Sequence, residues 1–318
     1  MKKRLHNPKG KGEALIDGDI LVYRTGFAGQ QSIYTARSVD GEILGQYPNK
    51  TAVREDLAQR GVLVYELESE LVLDSIANVF HSLDLQLESI FKKSGCRTAR
   101  VFLTGKDNFR EQVATTAPYK GNRVAAKPVY YADLRERMVR TYGAEVIDGM
   151  EADDAISIAM WTWWRGDGTM PAQAETVACS IDKDLLQIPG LHLNWDQNTA
   201  PVFVDEDTAE FNLWKQTLSG DPTDNIPGIK GIGPEKAAAI IMSGLTDGKD
   251  YETIAIETYQ KHLGDGSGII LGEMHRLVRL LRSEEELETA RQGDRSVQEG
   301  AAGTPASDVP AVRQADQS

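Results

Sequence analysis

The sequence predicts an α/β fold, with a mostly parallel central sheet flanked by helices and continued into a smaller helical region. Short apolar runs of strand length alternate with longer helical stretches as far as Trp195, the alternation that builds parallel sheets. Acidic residues stand where those runs end, at the edge where open α/β sheets collect ligands. After Phe211 the character changes to helices separated by glycine turns. With 318 residues, 41% of them hydrophobic, the chain can bury a sizeable core, enough for one large domain or two unequal ones.

Taken in order, Ala14-Leu15-Ile16-Asp17-Gly18-Asp19 reads as a buried first strand ending in an acidic loop, with an apolar stretch through Tyr23. Residues 30–65 read as an insertion. They carry the hairpin signal Ser38-Val39-Asp40-Gly41-Glu42-Ile43 with Asp-Gly as its turn, then a polar helical stretch and the apolar run Val62-Leu63-Val64-Tyr65. From 70 to 93, Leu71, Ile76, Val79, Phe80, Leu83, Leu87, Ile90 and Phe91 form a helical stripe that Gly95 stops. Ala99-Arg100-Val101-Phe102-Leu103 is the next buried strand. A basic bridge over 105–140 carries Arg110, Lys120, Arg123 and Lys127 and closes in a helix around 131–142. A strand at 145–147, a helix from Ala152 and strands at 176–180 and 191–195 complete an α/β core over 14–210. A helical region follows over 211–282, centred on Ile226-Pro227-Gly228-Ile229-Lys230-Gly231-Ile232-Gly233-Pro234-Glu235-Lys236-Ala237. Residues 283–318, rich in Ala, Gly, Gln and Glu without helical or strand period, read as a disordered acidic tail.

The formal charge of −13 argues at first against a nucleic-acid partner. Its distribution reverses that impression. Residues 283–318 hold eight acids against three arginines, and the nine clustered acids considered next account for all of the remaining excess. No apolar run approaches the roughly 18 residues of a membrane span, and the basic start Met1-Lys2-Lys3-Arg4 lacks a signal-peptide core. An intracellular, cytoplasmic protein without membrane partners is the expectation. Cys96 and Cys179 have neither a disulfide framework nor metal-ligand spacing.

Nine acids fall into four groups: Asp17 and Asp19; Glu151, Asp153 and Asp154; Asp182 and Asp184; Asp221 and Asp224. Converged carboxylates repel unless cations neutralise them, and hard ions such as Mg²⁺ or Mn²⁺ take oxygen ligands. Asp17 closes an apolar strand, where an uncompensated charge is expensive, which favours a ligand over a turn residue. Asp19 could share the site or cap the following helix, and the cap is the favoured reading. Three acids at 151, 153 and 154 exceed what a helix dipole asks for. Asp182 and Asp184, two apart beyond a strand, share one side of an extended chain. Asp221 reads as an N-cap with Pro222 at the first helical position, leaving Asp224 optional. Gly231 and Gly233 offer free N–H groups to a phosphate. The cluster Trp161, Trp163 and Trp164 reads as helix-end packing.

At these residues the chain resembles the 5′→3′ exonuclease and flap endonuclease family, in particular the phage exonucleases and the 5′-nuclease domain of bacterial DNA polymerase I. Six motifs occur in the family's order between about Ala14 and Arg282: Ile16-Asp17-Gly18 with Tyr23-Arg24, Phe109-Arg110, Tyr119-Lys120-Gly121-Asn122-Arg123, Glu151-Ala152-Asp153-Asp154, Ser180-Ile181-Asp182-Lys183-Asp184, and Ser219-Gly220-Asp221-Pro222-Thr223-Asp224-Asn225-Ile226-Pro227-Gly228. The resemblance implies a PIN-like core, a helix-hairpin-helix region and hydrolysis of DNA phosphodiesters near 5′ ends of duplexes, nicks or flaps, with RNA-primer removal open. It implies two Mg²⁺ or Mn²⁺ ions, one held by Asp17, Glu151, Asp153 and Asp154 and the other by Asp182, Asp184, Asp221 and Asp224. Lys120 and Arg123 match residues that reach the scissile phosphate, and Tyr119 a position that stacks on a terminal base. Arg24 and Arg110 match phosphate-positioning arginines. Gly228, Gly231, Gly233 and Lys236 would grip the duplex, with K⁺ in that hairpin. A monomer in phage replication, in the host cytoplasm, is implied likewise.

Two departures stand out. Where the family places an aspartate after the strand ending at Leu103, this chain reads Thr104-Gly105-Lys106-Asp107, so Asp107 is either displaced onto the site or outside it. Only 30 residues separate Lys120 from Glu151, which predicts a short basic bridge in place of a long closed arch. The rivals are a structure-specific DNA-binding protein with impaired catalysis and a phosphatase using Asp17 of Asp17-Gly18-Asp19 as nucleophile.

Overall fold

The computed structural model describes residues 5–123, 126–164 and 176–290. Strand β1 (Glu13–Asp17) runs straight into helix α1 (Gly18–Ala28), because the Asp17 carboxylate accepts from the Ile20 N–H and caps it. The expected acidic loop is therefore a helix start. The insertion is larger than expected. Strands β2 (Gln30–Arg37) and β3 (Ile43–Tyr47) form the hairpin, helix α2 (Lys50–Gln59) follows, and β4 (Glu66–Leu73) pairs antiparallel with β2 along eight residues. Val62–Tyr65 is a connection, and Leu71 belongs to β4 and not to the helical stripe. Alternation of Glu66, Glu68 and Glu70 with Leu67 and Leu71 is a period of two, which overrides the weaker helical reading. Helix α3 begins at Ile76 and ends at Ser94, where Gly95 takes the left-handed conformation of a C-cap.

Strands β5 (Thr98–Asn108), β6 (Glu145–Gly149), β7 (Thr176–Cys179) and β8 (Gly190–Leu193) join β1 in a parallel sheet, and β9 (Val202–Val204), which the sequence reading missed, adds an antiparallel edge. The order β6-β5-β1-β7-β8-β9 places β1 at the centre. From β1 the chain moves outward to β5 and β6, then returns to β7 on the other side. That reversal opens a crevice at the carboxyl ends of β1 and β7. Side chains of β1 alternate between two cores, Ala14 and Ile16 toward α1 and α3, Leu15 toward helix α6 (Ala152–Trp164).

Helix α4 (Phe109–Val113) leads into the basic bridge, whose described residues carry no further helix or strand before α5 (Tyr131–Arg137) and a π-turn at Met138–Tyr142. A third core unites α7 (Glu206–Ser219), α8 (Pro234–Thr246), α9 (Tyr251–Leu263) and α10 (Ser267–Val278), and Phe109 and Val113 of α4 pack inside it. The expected border at 211 is thus crossed by the bridge. Helical residues 284–290 also join this body, with Leu287 buried and Glu286 paired to Arg279 at 2.9 Å. The predicted tail therefore begins later than 283, and its remainder lies outside the described residues. Trp161 is half-buried under Arg282, while the side chains of Trp163 and Trp164 fall outside the described ones. No helix among the described residues is long and apolar enough to cross a membrane.

Candidate metal centre

The crevice at the sheet's carboxyl edge divides into two adjoining clefts with a common wall of Lys120, Arg123, Glu151, Asp153 and Asp182. The first extends over Asp17, Asp19, Tyr23, Arg24, Thr104, Lys127 and Tyr131. The second extends over Tyr119, Lys183, Asp184, Gln216, Asp221, Thr223 and Asp224. Of the eight carboxylates assigned to metals, seven line this space. Four elements that are distant in sequence deliver them: β1, the start of α6, the turn after β7 and the turn between α7 and α8.

The first cleft is under electrostatic load. Asp17, buried, accepts from Ser180 Oγ at 2.9 Å and from Ile20 N at 3.3 Å. Burial, then the nearby Asp19 charge, pushes its carboxyl up to about 7 against those bonds. Asp153 accepts no hydrogen bond among the described residues, and burial together with Asp17, Asp182 and Glu151 raises it well above the carboxylate range. Glu151 is the counterweight. Burial acts to raise it, but the Lys120 and Arg110 charges and the bonds from Lys120 and Tyr119 hold it below its usual value.

In the second cleft Asp184 is pushed up to about 7 by burial and by Asp182 and Asp221. Burial also acts on Asp221, but bonds from Lys183, the Thr223 N–H and Gln216 leave it lowered. Asp182 caps a 3₁₀ turn, Lys183–Gln187, by accepting from the Asp184 N–H at 2.9 Å. Asp221 does not start a helix. It closes a turn by bridging to Ile226, and its Oδ1 accepts from the Thr223 N–H at 2.7 Å. The helix waits until Pro234, after Gly233 as N-cap.

Basic residues meet these acids directly. Lys120 donates to Glu151 and lies 3.6 Å from Asp224 Oδ2. Arg123 donates to Asp224 Oδ1 at 2.6 Å. Tyr119 stands inside the cleft, its hydroxyl between Glu151 Oε2 at 2.7 Å and Asp224 Oδ2 at 2.8 Å. Arg24, near half exposed, pairs with Asp196 at the rim.

Two further assignments are corrected. Arg110 donates through both terminal nitrogens to Asp154, at 2.6 and 2.8 Å, and to the Leu277 and Arg279 carbonyls. Both side chains are buried. Asp154 also accepts from the Glu151 and Leu281 N–H groups, so its oxygens are spent on the fold and Arg110 reaches no external phosphate. Gly228 packs its backbone on Gly220, and a Cβ there would stand 2.3 Å from the Gly220 nitrogen. It shapes the turn, while Gly231 and Gly233 are exposed. Lys236 is exposed and donates to the Gly231 carbonyl at 3.3 Å.

Asp107 is exposed on a left-handed backbone and lines neither cleft. Asp19 is engaged by the Thr104 N–H and Arg135. The metal-assigned carboxylates that line the clefts are Asp17, Glu151 and Asp153 on one side, and Asp182, Asp184, Asp221 and Asp224 on the other. This all-oxygen donor set suits a hard divalent ion, and the raised Asp17, Asp153 and Asp184 are groups that a cation would relieve. Among the described residues no three such ligands already close on one point, because Lys120 and Arg123 draw Glu151 and Asp224 to themselves. The sequence reading missed Gln216, whose amide joins Asp184 and Asp221. It also missed Glu273, which accepts from the N–H and hydroxyl groups of Thr115 and Thr116 at the foot of the bridge. A lone Gln or Glu on a helix carries no sequence signal for either role.

No protein-family model matches the chain. A segment of 140 residues is 28% identical to the DNA polymerase I of Rhizobium leguminosarum, covering 39% of this chain and only 13% of that protein's length. Two solved structures of the T5 5′-exonuclease, one a lysine-to-alanine mutant and one with bound zinc, each superpose with a TM-score of 0.51. Identity is 15% and 16%, and each comparison covers 90% of this chain and 98% or more of the other. The chain has the fold of the T5 5′-exonuclease and resembles the 5′→3′ exonuclease and flap endonuclease family.

Proposed function

We propose that the chain is a divalent-metal-dependent 5′ nuclease that hydrolyses DNA phosphodiesters at or near 5′ ends, with exonuclease action favoured over strict flap cutting. The observation that carries it is the convergence of seven carboxylates from four elements on adjoining clefts that share Lys120 and Arg123. The names of the similar structures, which include a 5′-exonuclease with divalent ions, support the same reading.

Asp17, Glu151 and Asp153 would hold one cation, and Asp182, Asp184, Asp221 and Asp224 the other. Bound divalent ions in such a pair activate a water and stabilise the leaving oxygen of an in-line displacement. The chain's own residues supply the rest. Lys120 and Arg123 bring fixed positive charge to the phosphate, where negative charge builds up as it is attacked. Tyr119 holds Glu151 and Asp224 in register across the common wall. Arg24 and Lys127 at the rim receive the backbone of the strand being cut, and the exposed Gly231 to Lys236 turn, at the N-terminus of α8, takes a duplex phosphate without reading bases.

The phosphatase reading loses its support, since Asp19 is bound to Arg135 and the Thr104 N–H and Asp17 to Ser180. The impaired-nuclease reading keeps one observation, the absence of Asp107 from the first cleft. Cleavage of a 5′-labelled duplex and a matching 5′-flap substrate, each with Mg²⁺ and with EDTA, decides between them. Mg²⁺-dependent release of short 5′ products is expected, most from the duplex. DNA binding with no cleavage would instead establish the impaired form.

A further inference from the structure

In the second cleft one neutral side chain spans two carboxylates that the backbone does not connect. Gln216 stands in the last turn of α7, and its Nε2 donates to Asp184 Oδ1 at 2.9 Å and to Asp221 Oδ2 at 3.0 Å. An amide nitrogen has two protons, so both bonds form together and its donor capacity is filled. Asp184 comes from the 3₁₀ turn after β7 and Asp221 from the turn after α7, and the amide bridges the gap between them. Lys183 also approaches both carboxylates, at 3.1 Å from Asp221 Oδ2 and 3.9 Å from Asp184 Oδ1, but its side chain is 68% exposed and its charge is screened by water. Asp184 Oδ2 and Gln216 Oε1 take no hydrogen bond among the described residues, and both residues line the cleft.

We propose that Gln216 is the positioning residue of the second cation site, holding Asp184 and Asp221 at a set separation while leaving oxygens free for a hard divalent ion. The proposal rests on the metal-dependent reading above. A neutral donor suits this task for a physical reason. An ammonium at the same place would repel the incoming cation, and an apolar group would leave two carboxylates facing each other with only a solvated lysine between them. Because Gln216 belongs to α7, the helix that leads into the glycine hairpin, it also fastens the second cluster to the segment assigned to duplex backbone.

Mn²⁺ binding to the full chain, counted by electron paramagnetic resonance and titration calorimetry without DNA, tests this independently of cleavage. The unaltered protein is expected to bind two Mn²⁺. Gln216→Met keeps the volume and removes the donors. It is expected to weaken one of the two ions at least about tenfold and leave the other within about twofold, with the metal-free Tm shifted by no more than roughly 4 °C. In a double variant with Asp184→Asn the losses should not add, since Gln216 acts through Asp184. Gln216→Glu returns oxygen ligands, so it should recover the weakened ion while lowering the metal-free Tm through repulsion. Two Mn²⁺ of unchanged affinity in Gln216→Met, or full additivity with Asp184→Asn, would overturn the assignment of Gln216 alone. An unaltered protein that binds no Mn²⁺ would overturn the metal-dependent reading itself.

Discussion

The Arg110 guanidinium and the Asp154 carboxylate form a two-pronged ion pair, 2.6 and 2.8 Å long, with both side chains shut off from solvent. It joins the bridge, the start of α6 and the residues after α10 at one point, through the additional bonds to the Leu277 and Arg279 carbonyls and from the Leu281 N–H. Removing one partner leaves a buried, uncompensated charge, which destabilises by roughly 3–5 kcal/mol. Asp154→Ala should therefore lower the metal-free Tm sharply in a thermal melt, as should Arg110→Ala. A metal ligand with no structural role would leave the metal-free Tm near that of the parent, and that outcome would return Asp154 to the metal site.

Lys120 touches the carboxylates of both clefts, Glu151 and Asp224. Lys120→Ala should reduce single-turnover cleavage by about 10²–10³, the range found when one preorganised charge donor is lost, with only a small loss of DNA affinity measured in EDTA. Unchanged turnover removes Lys120 from the chemistry.

Protons and cations compete for the same oxygens. Asp17 and Asp184 are raised to about 7, and Asp153 is raised well above the carboxylate range, first by burial and then by neighbouring acids. A carboxyl whose folded value lies above its unfolded value of 3.8 contributes stability that is fully present below that unfolded value. The contribution fades as pH rises toward about 7. In the metal-free chain these three groups therefore oppose folding at neutral pH, and a divalent ion reverses the penalty. Mn²⁺ affinity should rise between pH 6 and 8 with release of protons, measured by calorimetry in buffers of different ionisation enthalpy. Asp17→Asn should release fewer protons, and a pH-independent affinity contradicts the raised values.

His192 tests the same linkage with the opposite sign. Burial lowers its imidazole from 6.5 to about 4 despite the Nε2–H bond to the Ile188 carbonyl at 2.7 Å. Its stabilising contribution is present above pH 6.5 and is lost as pH falls toward 4, because the unfolded chain then binds the proton first. Each pH unit between the unfolded and folded values carries about 1.4 kcal/mol. From pH 7 to 4 in chemical denaturation the parent should therefore lose a few kcal/mol relative to His192→Gln, the opposite change from Asp17, Asp153 and Asp184 being common to both proteins. Equal pH slopes in the two proteins would falsify the neutral buried imidazole.

The order of the core elements was legible in the sequence for a local reason. Strands β1, β5 and β7 are apolar runs, those of β1 and β7 with acids at their ends, and α3 carries a stripe closed by Gly95, so period and punctuation alone identify them. Strand β4 was misread because a helix and a strand can share its Leu71, and only pairing with β2 decides between them. The turn at Asp221 was misread because the N-cap signal of Asp-Pro is local, whereas the bridge to Ile226 and the Gly220–Gly228 contact form only when α7 and α8 close on one another.

The sequence by itself determined the α/β class, the acidic inventory and the elements that carry it, since each depends on residues near one another in the chain. Tertiary structure alone decided which basic partner each acid meets. Asp154 and Asp19 carry the same group as Asp153 and Asp17, but arginines 44 and 116 residues away reach the first pair and not the second. Whether a carboxylate is bound within the fold or open to a cation depends on the charges brought beside it, and spacing along the chain does not encode them.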